Sequence, residues 1–315
     1  MDELPEEHGV ALVKRMRAMG VPDQQLRSAA GRAEFVRIRR GAYAHRSDAA
    51  RLDRDAAYLR RVVAVVGTRR SAVTLSHHSA ALLHALPVAD DWPRSVHITE
   101  GRESRRRSKN GVVVHRSALH DSVVEIDGML VTSPTRTVID LAAEGTFADA
   151  VCAADAALRA GVSREDLWAE LERRPGPGRA RAARVVAFAD GEAETSLESW
   201  SRSTIHELGF PRPVLQFPVS TPSGVRRLDF AWPEAGAGAE ADGLWKYGAI
   251  AEAQGRTGLE AFRIEKEREA EVRLQLRAFT RWGVAELRDR EKLRLRLLSL
   301  GLRPLPSYRP QQPPR

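Results

Sequence analysis

Three acids and a lysine between residues 198 and 246 have the types and spacing for phosphodiester chemistry. In the run Leu228-Asp229-Phe230-Ala231-Trp232 the large apolar residues alternate, which sets Asp229 on the opposite face of a strand. Glu240 stands eleven positions further on, at the end of the next predicted strand, so the two carboxylates can converge across a turn. Glu198, on a preceding helix, can approach the same point. Such a cluster carries a heavy like-charge cost unless a cation fills it, and oxygen ligands with an open coordination position suit Mg2+ or Mn2+. A bound ion would activate water and stabilise charge on a phosphodiester oxygen. Lys246 would hold the attacking water or neutralise the transition state. Gln216 would orient the water, and Asp242 follows two residues after Glu240. The bland alternative is that these are ordinary surface carboxylates of a small α/β domain.

The elements that must position these residues can be read from the pattern. A helix over 194–208, closed by Gly209, would carry Glu198. A strand with Val214, Leu215, Phe217 and Val219 precedes a turn at Pro222-Ser223-Gly224, and the strand holding Asp229 follows. The third strand, 235–241, is weak, because Ala235-Gly236-Ala237-Gly238-Ala239 is a poor β-former. A helix over 259–277, a strand over 284–287 and a helix over 290–300 complete this region.

The first 50 residues read as helix (10–19), turn, helix from Pro22-Asp23 to about Gly31, and a hairpin turning near Arg40-Gly41. That order fits a winged helix-turn-helix, with Arg27 on the groove-facing helix and Arg37, Arg39 and Arg40 on the wing meeting phosphates. The alternative is a small helical domain with a solvated arginine face. Residues 51–150 read as mixed α/β: a helix over 53–66, a second from a Ser76 cap to Leu86, strands over 96–98 and 112–115, and a hairpin turning at Asp127-Gly128. Arg105, Arg106, Arg107 and Lys109 form an exposed basic loop. His77, His78, His84, His97 and His115 lie in this stretch without a cysteine cluster or a tight ligand motif. They are expected to serve hydrogen bonding and packing rather than a metal. Residues 148–190 read as alanine-rich helices interrupted by Arg174-Pro175-Gly176-Pro177-Gly178.

Charge agrees with this division. Residues 1–115 carry 21 Lys/Arg against 13 Asp/Glu, whereas 116–315 carry 29 of each, so the whole formal charge of +8 lies in the first third. A basic part joined to a balanced part suggests nucleic-acid contact by the former. The 315 residues suffice for about two or three domains. A single cysteine, Cys152, excludes an intramolecular disulfide and multi-thiolate metal sites. No apolar run approaches about 18 residues and the first residues are acidic, so a cytoplasmic or nucleoid-associated protein without membrane contact is expected.

Several runs together resemble a large actinobacterial group. They are Arg39-Arg40-Gly41-Ala42-Tyr43, Leu75-Ser76-His77-His78-Ser79-Ala80, Thr132-Ser133-Pro134-Thr135-Arg136-Thr137, Ser196-Leu197-Glu198-Ser199, Gly209-Phe210-Pro211-Arg212-Pro213, Leu228–Glu234 and Glu240-Ala241-Asp242-Gly243 with Lys246-Tyr247. That group joins an abortive-infection (type IV) antitoxin-like winged-helix region to a domain similar to very-short-patch-repair and PD-(D/E)XK restriction-endonuclease-like nucleases. The resemblance implies an α/β multidomain chain. Its parts would be a winged-helix DNA-binding-like domain at 1–50, an antitoxin-like α/β domain at 51–188, a nuclease-like domain at 189–305 and a flexible tail at 306–315. It places Asp229 and Glu240 on the two catalytic acids and Glu198 on the helix acid. Asp242 stands where the pattern has its lysine, so Lys246 would substitute from four residues later.

Two functions follow from different classes. One is a DNA-binding protein with an Mg2+- or Mn2+-dependent endonuclease domain. The other is a non-catalytic transcriptional regulator or antitoxin, with a cognate toxin as partner and the nuclease-like domain as a packing or partner module. An RNA-processing nuclease is a third reading, since phosphate contacts do not distinguish DNA from RNA.

Overall fold

The computed structural model describes residues 6–22, 35–46, 52–119, 121–242 and 258–306. They form two compact units, one of 1–153 with 161–187 and one of 154–160 with 188–315. The architecture is α/β with three separate sheets.

The first unit begins with a four-stranded antiparallel sheet of order β1-β2-β4-β3, where β1 is Glu6–Glu7, β2 Val10–Leu12, β3 Phe35–Arg39 and β4 Ala42–His45. Helix α1 (Val13–Ala18) follows β2 directly. The expected helix over 10–19 therefore starts three residues late. Val10, Ala11 and Leu12 are all buried, as a strand with both faces covered requires, and Ala11 pairs with Tyr43. The tight turn at Arg40-Gly41 is present, with Gly41 at φ +85°. The predicted groove-facing helix and Arg27 lie outside the described residues. Helix α2 (Arg54–Thr68) is capped by Asp53, whose carboxylate accepts from Ala56 N at 2.8 Å. Its Val63 and Ala64 pack on Val10, Leu12 and Ala42.

The second sheet runs β7-β6-β5-β9-β8, with β5 Thr74–Leu75, β6 Val96–Glu100, β7 Val112–Arg116, β8 Val123–Ile126 and β9 Met129–Thr132. β6 and β7 are parallel, as are β5 and β9, while β5/β6 and β8/β9 are antiparallel. The β8–β9 hairpin turns on Asp127 and Gly128 at φ +48° and +72°, as a two-residue turn matching strand twist demands. Helix α3 (His77–Leu83) ends earlier than the expected Leu86. Helix α4 (Pro134–Glu144) opens with Ser133 accepting from Arg136 N and Pro134 in its first turn. The alanine-rich stretch forms α5 (Phe147–Arg159), α6 (Arg164–Arg173) and α7 (Arg179–Phe188).

The second unit carries α8 (Ser196–Glu207) and a sheet of order β10-β11-β12-β13: Val214–Thr221, Gly224–Trp232, Ala237–Ala241 and Ala278–Trp282. The first two pairings are antiparallel and the last is parallel. β12 holds despite its small residues because it is central and close-packed. A Cβ on Gly238 would stand 2.7 Å from Leu228 Cδ1 and 2.8 Å from Leu276 Cδ1, so the large neighbours fill what the strand lacks. Helix α9 is Gly258–Arg273. The strand expected at 284–287 is instead helix α10 (Val284–Arg288), and the strand lies just before it, as β13. Glu286 explains the switch: its carboxylate accepts from Gly283 N at 3.0 Å and starts a helix. Helix α11 (Arg290–Ser299) follows. No helix among the described residues is long and apolar enough to cross a membrane.

Candidate functional site

In the second unit the register aligns residues singled out from the sequence. Leu215 pairs with Phe230 and Phe217 with Leu228, which sets Gln216 opposite Asp229. Phe230 pairs with Ala239, bringing Glu240 alongside Asp229, and Glu240 pairs with Arg281. Gln216, Asp229, Glu240 and Arg281 thus form one row across four strands. Gln216 has φ +48°, an uncommon conformation for a residue with a side chain, and its Nε2 donates to Glu198 Oε2 at 3.0 Å.

Protein donors engage each of these carboxylates. Glu198 is 1% exposed and serves its own helix start: Thr195 Oγ1 donates to its Oε1 at 2.8 Å and Glu194 N to its Oε2 at 2.9 Å. Asp229 Oδ2 accepts from Ala241 N at 2.7 Å. Glu240 pairs with Arg281 and, at 3.7 Å, with Arg268. Burial pushes the Glu240 carboxyl above its ordinary range; the two arginines pull it down and Asp229 adds to the rise. Asp242 lines an open cleft with Lys266, Arg273, Arg281 and Arg296, while Lys246 lies outside the described residues.

The first unit presents a basic surface. Arg37 and Arg40 are exposed and Arg39 half-buried on the hairpin; Arg105, Arg106, Arg107 and Lys109 are exposed in the loop between β6 and β7. Arg69, which the sequence reading passed over although Arg69-Arg70 directly follows a predicted helix, links the two. Its pKa is lowered by burial and then by the fields of Arg106 and Arg39, against the opposing field of Glu100. Hairpin and loop arginines therefore share one electrostatic neighbourhood. Arg106 is held in place by Glu100 at 2.7 Å and Ser71 Oγ at 3.0 Å.

The same unit assembles a histidine cluster that local spacing did not reveal. Among the described residues, His77, His97 and His115 form the single group of three or more potential metal ligands, with one ligand atom from each within 4.8 Å of the others. His97 lies on β6 and His115 on β7; the register Thr99↔His115 and His97↔Val113 puts both on one sheet face. His77 opens α3 at φ +50° and is 3% exposed. Its ring stacks on His115 with centroids 3.6 Å apart, and His97 Nδ1 lies 3.0 Å from His115 Nε2. Outer groups orient two of the rings. Glu144 Oε2 is 2.7 Å from His115 Nδ1, and Ser76 Oγ, which makes no helix cap, is 3.0 Å from His77 Nδ1.

One atom is left over. His77 Nε2 comes no closer to Glu144 Oε2 than 3.5 Å, outside the ordinary hydrogen-bond range, and is buried without a hydrogen-bond partner. An orphan of that kind costs roughly 1–3 kcal/mol. Burial holds His77 below the usual histidine range and lowers His97 to about 2, the latter helped by the neighbouring rings, so both rings are neutral near pH 7. A hydrogen bond from His115, with the nearby His77 ring adding to it, holds the Glu144 carboxyl far below the carboxylate range. His78 lies 3.5 Å from Asp149, and His84 Nε2 is 2.7 Å from Thr132 O, so these two serve local contacts.

Residues 65–188 match the model of a family described as the AbiEi antitoxin C-terminal domain, and an AbiEi-like domain is thus present in the chain. Two Mycobacterium tuberculosis proteins, "Uncharacterized protein MT2308" (strain CDC 1551 / Oshkosh) and "Uncharacterized protein Rv2248" (strain H37Rv), are each 33% identical over 148 residues, 46% of this chain. This chain spans about half the length of these curated relatives, 54% of each. The crystal structure of RV2827C protein from Mycobacterium tuberculosis aligns at a TM-score of 0.37 with 20% identity, over 56% of this chain and 71% of that one.

Proposed function

We propose that the chain is an antitoxin-type DNA-binding regulator whose nuclease-like unit packs or binds a partner without cutting. The observation that carries this reading is the match of residues 65–188 to an antitoxin domain. The shared neighbourhood of Arg39, Arg69 and Arg106 supports DNA contact through phosphates, and the N-terminal sheet with its arginine hairpin would act as the wing of a winged helix. A cognate toxin is the protein partner this class implies.

The carboxylate row favours regulation over catalysis. A Mg2+ or Mn2+ ion needs free carboxylate oxygens pointing at one centre, whereas here arginines lie on Glu240 and helix-start donors on Glu198. As folded, the donor set does not fit such an ion.

The test is duplex binding by fluorescence anisotropy between 50 and 200 mM salt, using DNA from upstream of the gene and an unrelated duplex, with structured RNA as competitor. We expect preferential binding to the upstream duplex. Each phosphate contact contributes about 0.9 to the salt slope, so Arg39→Ala, Arg69→Ala and Arg106→Ala combined would lower it by roughly 2 to 3. Supercoiled plasmid incubated with Mg2+ or Mn2+ stays intact. Cleavage that Asp229→Ala abolishes would overturn the non-catalytic reading, and an unchanged salt slope would remove the basic surface from it.

A further inference from the structure

We infer that His77, His97 and His115 form a binding site for a Zn2+-class transition-metal ion, held by His77 Nε2, His97 Nδ1 and His115 Nε2. This inference is independent of the DNA-binding reading.

The geometry supplies the donors. Two of the nitrogens already face each other at 3.0 Å. Ligands about 2.0–2.1 Å from a tetrahedral zinc stand roughly 3.3 Å apart, so the pair must open by only a few tenths of an ångström. The third nitrogen, His77 Nε2, is buried and has no hydrogen-bond partner. One nitrogen each of His77, His97 and His115 lies within 4.8 Å of the other two. A lone pair with nothing to accept from is a cost in the empty cluster and a ligand in the filled one.

The outer groups fit the same assignment. A metal-bound imidazole presents its other nitrogen to a carboxylate or other acceptor, which fixes tautomer and ring orientation. Glu144 does this for His115 and the Ser76 hydroxyl for His77. Arg174 in turn pairs with Glu144 and holds that carboxylate in place. Three imidazoles with no carboxylate in the ligand set select Zn2+, Co2+, Ni2+ or Cu2+ over Mg2+, Mn2+ or Ca2+. Because His97 and His115 are only half-buried, a fourth position stays open to solvent or to an incoming ligand. The ion would tie the start of α3 to strands β6 and β7, elements far apart in sequence.

The experiment uses the full-length chain, freed of any affinity tag and stripped with chelator. Co2+ is titrated while the visible d–d bands are followed, and Zn2+ is then added in competition. We expect tetrahedral-type bands saturating at one equivalent, their displacement by one equivalent of Zn2+, and a higher melting temperature with Zn2+ bound. His97→Gln with His115→Gln abolishes the bands. Glu144→Gln weakens affinity by about 10- to 100-fold while the bands remain. His206→Gln, in the other unit, leaves binding unchanged. Circular dichroism checks that each variant folds. Absence of saturable bands in the wild type overturns the site whatever the variants do. Bands that survive the double substitution, or that are lost with His206→Gln, overturn it as well.

Discussion

Arg136 is the residue on which the AbiEi-like domain should be most sensitive to a single change. It is 2% exposed, and its guanidinium reaches Asp140 Oδ1, the Ala118 carbonyl and Ser117 Oγ, each at 2.9 Å, with Glu170 at 3.8 Å. Arg136→Met keeps most of the volume and removes the charge. Breaking a buried ion pair by deleting one partner costs about 3–5 kcal/mol, because the other charge stays buried. Here Arg174 still reaches Asp140 Oδ1 at 3.0 Å, which favours the lower end, but Asp140 Oδ2 already lacks a hydrogen bond and Ala118 loses one. The net is about 3–4 kcal/mol. At about 2–4 °C per kcal/mol for a domain of 150–250 residues, the melting point should fall by about 6–16 °C. The assay is scanning calorimetry of the full chain. Arg173→Met is the control: that side chain is 64% exposed and pairs with Glu170 at 3.3 Å, so about 0.5 kcal/mol or less is expected. A shift under about 2 °C for Arg136→Met, or equal shifts for both variants, would refute the reasoning.

Two further substitutions test the same physics elsewhere. Tyr58 is fully buried, its hydroxyl shared between Ser79 Oγ at 2.8 Å and Ser95 O at 2.9 Å, so Tyr58→Phe should cost about 1–2 kcal/mol in urea unfolding with an unchanged m-value. Arg202→Met should cost about 3 kcal/mol or more near neutral pH, because Asp155 is fully buried against that guanidinium. Burial raises the Asp155 carboxyl above its ordinary range, and Arg202 pulls it back. Without Arg202 the folded state holds a proton that the unfolded state releases above about pH 4, so stability falls as pH rises. Melting curves should therefore show a smaller deficit near pH 4 than near pH 8.

What the sequence could disclose depended on whether the cause was local. Asp127-Gly128 names its own turn, because only residues tolerant of positive φ sit there. The α2 cap is equally local, Asp53 standing three residues before the amide it accepts from. Glu198 also had a local signature in Thr195-x-x-Glu198, a pairing of hydroxyl and carboxylate that starts a helix. The histidine cluster had none. His77, His97 and His115 belong to no helical or hairpin spacing, and the parallel pairing of β6 with β7 is what brings two of them to one face. The last strand was displaced to 284–287 because Val284 and Leu287 read as apolar β-formers, whereas the reach of Glu286 back to Gly283 decides for helix. The weakness assigned to β12 came from propensity alone, which a central strand between Leu228 and Leu276 overrides.

Helix α5 has a consequence for how this chain can be taken apart. Its first turns belong to one unit and residues 154–160 to the other, after which the chain returns to the first unit until 187. The border between the units is therefore crossed three times, and no single cut in the gene yields both halves intact. A fragment ending at 188 would strand Asp155 as an acid without its guanidinium, and a fragment beginning there would carry Arg202 with no acid to meet. Proteolysis, gene fission and domain shuffling all act at single points along the chain. For this protein such events should leave a buried acid or a buried guanidinium without its counterpart, so a single break costs both pieces part of their packing.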